Sequence, residues 1–318
     1  MQASAEAQPN IALVKYWGKR DRERNLPAVG SLSITLASLR TRMTVRFSDQ
    51  PTDTLIVNGQ EAPAMLGRVS RCLDLVAGRN RQRAAVTSDG NFPIGAGLAS
   101  SASAFAALVV AADEAVHTGH DRLTLARMAG TASGSAARSL YGGFVELTAG
   151  DGGIGLTPLA APADWPLEVV VAITEEGPKP VGSGDGMIRS AQTSPFYASW
   201  VERQEADLVV ARTAVSNRDF ASLAAVSEHN CLKMHSVMWT SRPPVVYWNE
   251  ATIGCLEAIR LLQAKGVPVF FTIDAGPQVK AVCTADAVAG VRGALDATPG
   301  VLRTLVSGLG EGARLVPS

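Results

Sequence analysis

The chain has 318 residues, and its 29 basic and 29 acidic side chains balance to a formal net charge of zero. Hydrophobic residues make up 47% and charged residues 18%, enough apolar material for a large core, which excludes global disorder. The neutral balance excludes a broad polyanion-binding surface, so nucleic-acid binding has no support and any basic feature should be a small local pocket.

At about 150 residues per domain, the length suggests two lobes, with one large α/β unit as the alternative. The N-terminus (MQASAEAQPN) has no basic n-region and no apolar h-region. The longest apolar run, residues 102–112, is about half of what a membrane span needs. A cytoplasmic protein without membrane contact is expected.

In chain order, residues 10–17 and 32–47 read as strands, the latter carrying the β-branched Ile34, Thr35, Thr44 and Val45. Residues 55–58 with Gly59 read as a strand and turn, and residues 64–77 as a weakly amphipathic helix. Residues 103–116 are apolar on nearly all sides and predict a buried helix, followed by another over 123–129. The Pro/Ala stretch 157–166 (TPLAAPADWP) fits an inter-lobe linker. Residues 167–174 predict a buried strand, and residues 196–215 and 220–233 predict helices. A helix over 249–265 should end at Gly266, ahead of Pro268. A strand over 267–273 runs into the turn Asp274-Ala275-Gly276-Pro277. The short segment 279–283, a helix near 287–295 and a strand near 301–306 follow. This alternation predicts an α+β sandwich for the second half.

Cys72, Cys231, Cys255 and Cys283 lie far apart and read as buried thiols, not a disulfide framework. His117, His120, His229 and His235 show no metal-ligand spacing, so no protein-ligated metal is expected. His229, Met234, His235 and Met238 read as packing residues on or after a helix, and Glu175 and Glu176 as exposed.

The strongest chemical signal is Pro93-Ile94-Gly95-Ala96-Gly97-Leu98-Ala99-Ser100-Ser101-Ala102, running straight into the apolar helix. Gly95 and Gly97 let the backbone turn tightly and approach a ligand. The helix that follows offers unpaired N–H groups and a positive dipole end, which bind anions such as phosphate, and Ser100 and Ser101 add hydroxyls. A Walker loop is excluded because the chain contains no GK[ST], and a dinucleotide fingerprint lacks its third glycine. The glycine pair alone also fits a helix start with incidental glycines.

The whole spacing of that segment resembles the phosphate loop of the GHMP kinase superfamily. Four blocks sharpen the resemblance: residues 10–19 (NIALVKYWGK), 97–102 (GLASSA), 133–144 (SGSAARSLYGGF) and 272–277 (TIDAGP). Together, in this order and spanning residues 10–277, they resemble the diphosphomevalonate decarboxylase family. The resemblance implies the two-lobed GHMP kinase fold, an α+β architecture. A ribosomal-protein-S5-like α+β lobe over residues 1–165 would carry the phosphate loop, and a ferredoxin-like α+β lobe over 166–318 would carry Asp274. It implies ATP-dependent decarboxylation of 5-diphosphomevalonate to isopentenyl diphosphate, through phosphorylation of the 3-hydroxyl, loss of the phosphate and release of CO2. It also implies ATP and Mg2+, with the ion held mainly by ATP phosphates and water, a phosphorylated mevalonate as partner, and a homodimer. The alternatives are a phosphomevalonate decarboxylase acting on the 5-monophosphate and a mevalonate 3-kinase-like enzyme that phosphorylates and stops.

Site residues carry over from the matching positions. Asp274 would activate the hydroxyl, although its local sequence alone also fits a turn-capping aspartate. Arg138 would hold the substrate carboxylate with its planar fork and stabilise the leaving phosphate. Ser133, Ser135 and Ser183 would contact the substrate, with Tyr16 and Lys19 from the first block and Lys19 also serving the chemistry. Pro93, Gly95, Ala96, Gly97, Leu98, Ala99, Ser100, Ser101 and Lys179 would hold the nucleotide. Lys15, Lys19 and Arg20 together also read as a solvated basic face.

The pattern breaks twice. Gly184 follows Ser183 where the family usually has an arginine associated with the diphosphate, and Gly30 precedes Ser31-Leu32-Ser33 where an asparagine is common. A charge-assisted contact contributes about 1.5–3 kcal/mol, so its loss weakens diphosphate binding roughly 10–150-fold unless another cation replaces it. Arg189, Arg40 or Arg42 is the expected replacement.

Overall fold

The computed structural model of the chain describes residues 1–92, 100–150, 152–177 and 179–317. The first half runs β1 (Gln2–Ala7), β2 (Asn10–Val14), β3 (Lys19–Asp21), β4 (Leu26–Pro27), β5 (Ser31–Thr35), β6 (Thr41–Ser48), β7 (Thr54–Val57), β8 (Gln60–Glu61), α1 (Pro63–Ala77) and β9 (Arg83–Gly90). It continues through α2 (Ser100–Val116), α3 (Arg122–Ala132), a 3-10 turn (Ala136–Leu140), β10 (Phe144–Gly150) and β11 (Gly153–Ala160). The second half runs β12 (Glu168–Ile173), α4 (Ser183–Thr193), α5 (Tyr197–Asn217), α6 (Phe220–Trp239), α7 (Glu250–Ala264), β13 (Val269–Ile273), β14 (Val279–Cys283), α8 (Val288–Asp296), β15 (Arg303–Gly308) and β16 (Arg314–Val316).

Three sheets organise these elements, in the orders β16-β1-β6-β9-β7-β8, β11-β10-β5-β2 and β13-β14-β12-β15, with β3-β4 as a separate hairpin. The first sheet packs Met43, Val45 and Phe47, alternate residues of β6, against α2. Ala106, Ala107, Ala111 and Ala112 are fully buried on α2, and such short side chains let α1, α3 and the sheet approach it closely. The third sheet is buried on both faces. Val169, Val171, Phe270 and Val282 join the second sheet's Ile11, Leu13, Leu32 and Ile34 in one core. Val170, Ala172, Phe271 and Ala281 face a separate core with α7 and α8. The shared core therefore joins the two halves and fixes β2 beside β13.

Local chemistry sets the helix starts. Asp121 and Asp219 cap α3 and α6, accepting from the Thr124 and Ser222 amides, and Asn249 with Thr252 forms a capping box on α7. Gly266 follows α7 at φ +79°, as the stop signal required. All four cysteines are free and buried. Among the described residues no helix is long and apolar enough to cross a membrane.

Several expectations need correction. The stretch 32–47 is two strands, β5 and β6, belonging to different sheets. Strands β1, β9, β10 and β16 went unread, and the linker assigned to 157–166 is strand up to Ala160. Pro158 is tolerated there because β11 is an edge strand with no neighbour on its far side. Helix α4 went unread because its N-cap is Gly182, which brings no capping side chain.

Arg212 on α5 grips Glu146 on β10 in a bidentate pair, its Nε 2.8 Å from Oε2. The Glu146 side chain is 4% exposed and that of Arg212 39%. Arg212→Met strands a buried carboxylate and should cost about 1–3 kcal/mol of unfolding free energy in urea titration. The double variant with Glu146→Met should recover most of that loss, and a neutral single variant would show that the pair does not tie α5 to the sheet.

Candidate active site

Strand ends from both halves converge on a cleft of roughly 1070 Å³. Its floor is the loop after β2. The Lys15 amide donates to Asn230 Oδ1 at 2.7 Å, and Gln204 Nε2 donates to the Lys15 carbonyl at 2.6 Å. Trp200 Nε1 donates to the Trp17 carbonyl at 2.9 Å. Helices α5 and α6 therefore hold this loop by its backbone and leave its side chains for the cleft.

Asp274 follows β13 directly. Thr272 Oγ1 donates to the Ala12 carbonyl at 3.0 Å, tying β13 to β2. Cys231 Sγ accepts from the Ile273 amide at 3.2 Å, and His235 Nε2 lies 3.2 Å from the Ile273 carbonyl. The same ring nitrogen lies 3.3 Å from Trp248 Nε1. Lys15 Nζ donates to Asp274 Oδ1 at 2.6 Å, and Lys280 Nζ lies 3.4 Å from Oδ2. Burial raises the Asp274 pKa, but Lys15 and Lys280 outweigh it and hold the carboxyl well below the usual carboxylate range.

Arg138 sits in the 3-10 turn at 2% exposure. Its Nε donates to Asn10 Oδ1 at 3.2 Å and its Nη1 to Ser31 Oγ. Asn10 is locked in turn, donating to the Ser135 carbonyl at 2.9 Å and to Ser139 Oγ at 2.8 Å. Burial pulls the guanidinium down to about 10, against the opposing pull of Asp274 and Tyr16. Arg138 and Asp274 line the same cleft and feel each other's charge.

Tyr16, Lys19, Ser133, Ser135, Lys179, Ser183, Ser100 and Ser101 also line it. Ser133 Oγ is 3.2 Å from Ser101 Oγ, which brings the proposed substrate and nucleotide hydroxyls together. Ser100 and Ser101 form the first turn of α2, so the positive end of the helix dipole lies beside the cleft. Pro93, Gly95, Ala96, Gly97, Leu98 and Ala99 lie outside the described residues. Among the described residues the buried Tyr16 hydroxyl has no partner, and burial pushes it up to about 12. A Cβ at Gly134 would stand 2.4 Å from that oxygen, so glycine is required for the phenol to pack there. Lys179 Nζ donates to the Ala275 carbonyl at 2.8 Å. Burial depresses Lys179, with repulsion from Lys280 adding to it.

The expected replacements for the missing arginine lie elsewhere. Arg189, Arg40 and Arg42 do not line the cleft, whereas Arg22, Arg68, Arg71 and Arg79 do. A Cβ at Gly184 would lie 3.8 Å from Lys19 Nζ, and burial together with Arg68 and Arg22 depresses that lysine. At Gly30 a side chain would strike Leu208 Cδ1 at 2.7 Å, so packing with α5 has taken the space an asparagine needs.

Sequence reading assigned no role to Lys280 or to the partners Asn10, Ser31, Asn230 and Gln204, and a solvated face was one alternative for Lys15, which is 1% exposed. One signal was available: Lys280 interrupts the apolar run Val279–Cys283, and a lysine in a buried strand must be paired. Met234, His235 and Met238 pack in the core as expected, while His229 is exposed.

Family models match both halves. Residues 7–156 match the diphosphomevalonate decarboxylase-like N-terminal domain, and residues 169–299 match the mevalonate 5-diphosphate decarboxylase C-terminal domain. The diphosphomevalonate decarboxylase mvd1 of Aspergillus fumigatus is 35% identical over 305 residues, covering 87% of this chain and 75% of that protein. The mevalonate diphosphate decarboxylase of Staphylococcus aureus superposes with a TM-score of 0.93 at 33% identity, covering 99% of this chain and 98% of that one. A solved structure described as MDDEF in complex with MVAPP, AMPPCP and magnesium has a TM-score of 0.92 at 33% identity, covering 100% of this chain and 99% of that one.

Burial drives the His235 imidazole down to about 3 from its ordinary 6.5. The unfolded chain takes up this proton below its ordinary value and the folded chain does not. Stability is therefore complete at neutral pH and falls as pH drops through this window, by up to ~1.4 kcal/mol per pH unit from this group. His235→Asn should flatten that slope in urea unfolding between about pH 6.5 and 4. Parallel slopes in the two proteins would refute the buried neutral imidazole.

Proposed function

The chain belongs to the diphosphomevalonate decarboxylase family, and we propose that its cleft holds mevalonate diphosphate between Arg138 and Asp274, with the nucleotide at the α2 end. The enzyme catalyses the ATP-dependent decarboxylation of mevalonate diphosphate. It uses ATP and Mg2+. The observation that carries the site assignment is the meeting of Arg138, Asp274 and the first turn of α2 in one cleft.

The residues present fit a nucleotide and its ion. Ser100, Ser101 and Lys179 meet the phosphates with hydroxyl, N–H and ammonium donors. Among the described residues no group of three or more His, Cys, Asp or Glu could hold a metal ion, so Mg2+ would be held through nucleotide phosphates and water. When bound, the ion neutralises charge on the transferring phosphoryl group.

Arg138 holds the substrate carboxylate. Its Nε and Nη1 are committed to Asn10 and Ser31, and among the described residues its Nη2 has no hydrogen-bond partner. The Tyr16 hydroxyl, Ser133 and Ser135 position the substrate's phosphates. Asp274 accepts a hydrogen bond from the tertiary 3-hydroxyl and aims it at the γ-phosphate. With lysines at both its oxygens it is a weak base, so the hydroxyl proton passes to an oxygen of the transferred phosphoryl group. The 3-oxygen–phosphorus bond forms as the bond to the leaving ADP oxygen breaks. The C3–O bond then breaks and phosphate departs, the C–C bond to the carboxylate supplies the new double bond, and CO2 leaves. Arg138 and Lys179 stabilise the departing phosphate.

We assign the two lobes to residues 1–165 and 166–318, with β16 returning to pair with β1 in the first sheet. A homodimer rests on the family resemblance. A cytoplasmic location rests on the phosphorylated substrates, which do not cross membranes unaided.

Gly184 favours one second reading, a monophosphate tail. Lys19, Arg22, Arg68 and Arg71 favour the diphosphate, because they bring cations to the region where Gly184 brings none. Steady-state comparison should give a kcat/KM at least ~10-fold higher on the diphosphate, the worth of one charge-assisted contact, and a higher value on the 5-monophosphate would reverse the tail assignment. ADP and CO2 should appear in equal amounts, and ADP without CO2 would mark a kinase. Asp274→Asn should lower kcat by about 10³-fold or more with ATP affinity within about threefold. Persistent turnover would remove Asp274 from its assigned role.

A further inference from the structure

The mechanism above uses one buried ammonium only through its charge on Asp274. Lys280 lies on β14 at 0% exposure, in a strand otherwise made of Val279, Ala281, Val282 and Cys283. An ammonium in such surroundings is costly unless an anion answers it. Strand register shows which anion. Lys280 stands directly opposite Thr272 on β13, two residues before Asp274. Its neighbours Ala281 and Val279 face the α7–α8 core, so Lys280 and Thr272 project to the opposite side, where Thr272 bonds the Ala12 carbonyl of β2. Along that side Lys280 Nζ comes within 3.4 Å of Asp274 Oδ2, while Lys15 takes Oδ1 from the end of β2. A slip of one residue in the β13–β14 pairing would turn the lysine into the apolar core, so the register is strongly fixed.

We propose that Lys280 is a positioning residue for phosphoryl transfer: from below the cleft it anchors Oδ2 of Asp274 while Lys15 anchors Oδ1, and the two together set the rotation of the carboxylate toward the substrate hydroxyl. The proposal rests on the reading of Asp274 as the group that receives that hydroxyl. With one lysine, the carboxylate could swing about its Cβ–Cγ bond around a single contact. With lysines on β2 and β14, its plane is pinned from two strands whose separation the shared core fixes. Lys280 is fully buried and does not line the cleft, so it acts through Asp274. The charged and titratable groups facing Asp274 are Lys15 from the end of β2, Lys280 from β14, Lys179 from the segment after β12, Arg138 from the 3-10 turn, and Cys231 and His235 from α6. Cys231 and His235 engage the Ile273 backbone, which leaves Lys15 and Lys280 as the cations within 4 Å of the carboxylate.

The test uses the full-length protein, Lys280→Met as a neutral side chain of similar length, and Lys280→Arg as the conservative variant. Initial rates with ATP and mevalonate diphosphate are followed from about pH 5 to 9, and the Asp274 carboxyl is titrated by 13C NMR, assigned with Asp274→Asn. In Lys280→Met, kcat should fall about 10- to 100-fold with KM for ATP within about threefold, the signature of lost alignment rather than lost binding. Its carboxyl titration should move up by about one pH unit or more, and Lys280→Arg should bring it back toward the wild type. The proposal is overturned by a Lys280→Met enzyme with kcat within twofold and an unmoved titration, or by Met and Arg variants equally impaired with the wild-type carboxyl titration, which marks a packing role. If the Met variant does not fold, Lys280→Gln takes its place. If neither folds, an Asp274 carboxyl that protonates above about pH 5 in the wild type overturns the proposal. The wild-type rate separates this result from the reading beneath it. A wild type that releases no CO2 removes the decarboxylase reading, while the NMR titration still reports whether Lys280 holds the carboxylate.

Discussion

A single carboxylate held among four cations is the constraint around which this molecule is built. Asp274 answers Lys15 and Lys280 directly, and Lys179 and Arg138 lie close enough to feel its charge. The positive charge exceeds what one carboxylate can balance. Burial depresses Lys179, Lys280 and Arg138, so each is held charged against its own desolvation cost. Such a site is electrostatically unfinished without anions. A substrate carboxylate and a transferring phosphoryl group supply the missing negative charge, and the phosphoryl group develops it during the reaction, so these cations bind the transition state at least as strongly as the ground state.

Holding that charge cluster in place falls to groups far from the chemistry in sequence. Helix α6 presents Asn230 to the Lys15 amide and Cys231 and His235 to the Ile273 backbone, so one helical face sets both members of the Lys15–Asp274 pair. Gln204 joins the network from α5, accepting from Asn230 at 2.9 Å. Asn230 also donates to Asp207 at 2.6 Å, and Lys233 pairs with the same carboxylate. Asn230 and Gln204 are satisfied by one another and by backbone, and such mutual bonding makes a buried polar network rigid. On the opposite wall Asn10 does for Arg138 what Asn230 does for Lys15. The apolar core shared by the second and third sheets keeps the two walls at a fixed spacing.

Legibility in the sequence followed how locally each feature is determined. The Ala-rich helix α2, the capped helix α7 and the turn at Asp274 carry their signals within a few residues, and they stood where expected. Asp274, Arg138, Tyr16 and the serines were legible through block resemblance, and the cleft gathers those among the described residues. Lys15 was left open because its neighbours in sequence are Lys19 and Arg20, whereas its neighbours in space are Asn230, Gln204 and Asp274. Lys280 escaped because its partner lies across a strand pair whose register no local pattern announces. Strands β1 and β16 escaped for the same reason, each being short and made stable by a partner from the other end of the chain.

The cleft also separates two kinds of residue that answer to different physics. Around the reacting atoms, Lys15, Arg138 and Lys280 are buried, each with its geometry fixed by neighbours. At the outer end Arg22, Arg68, Arg71 and Arg79 are exposed, on the β3–β4 hairpin, on α1 and just beyond it. A buried ion cannot change without stranding its partner, so the inner set resists substitution. An exposed cation is screened by salt and contributes less per contact, so several can share one task and any one can be exchanged. The loss of a cation at Gly184 and the presence of several arginines nearby are what that difference permits. In the proposed reading, tail recognition is shared among exposed arginines, while the groups assigned to the chemistry are mostly buried. A change in which phosphorylated tail is preferred therefore needs no change in the residues that carry the reaction.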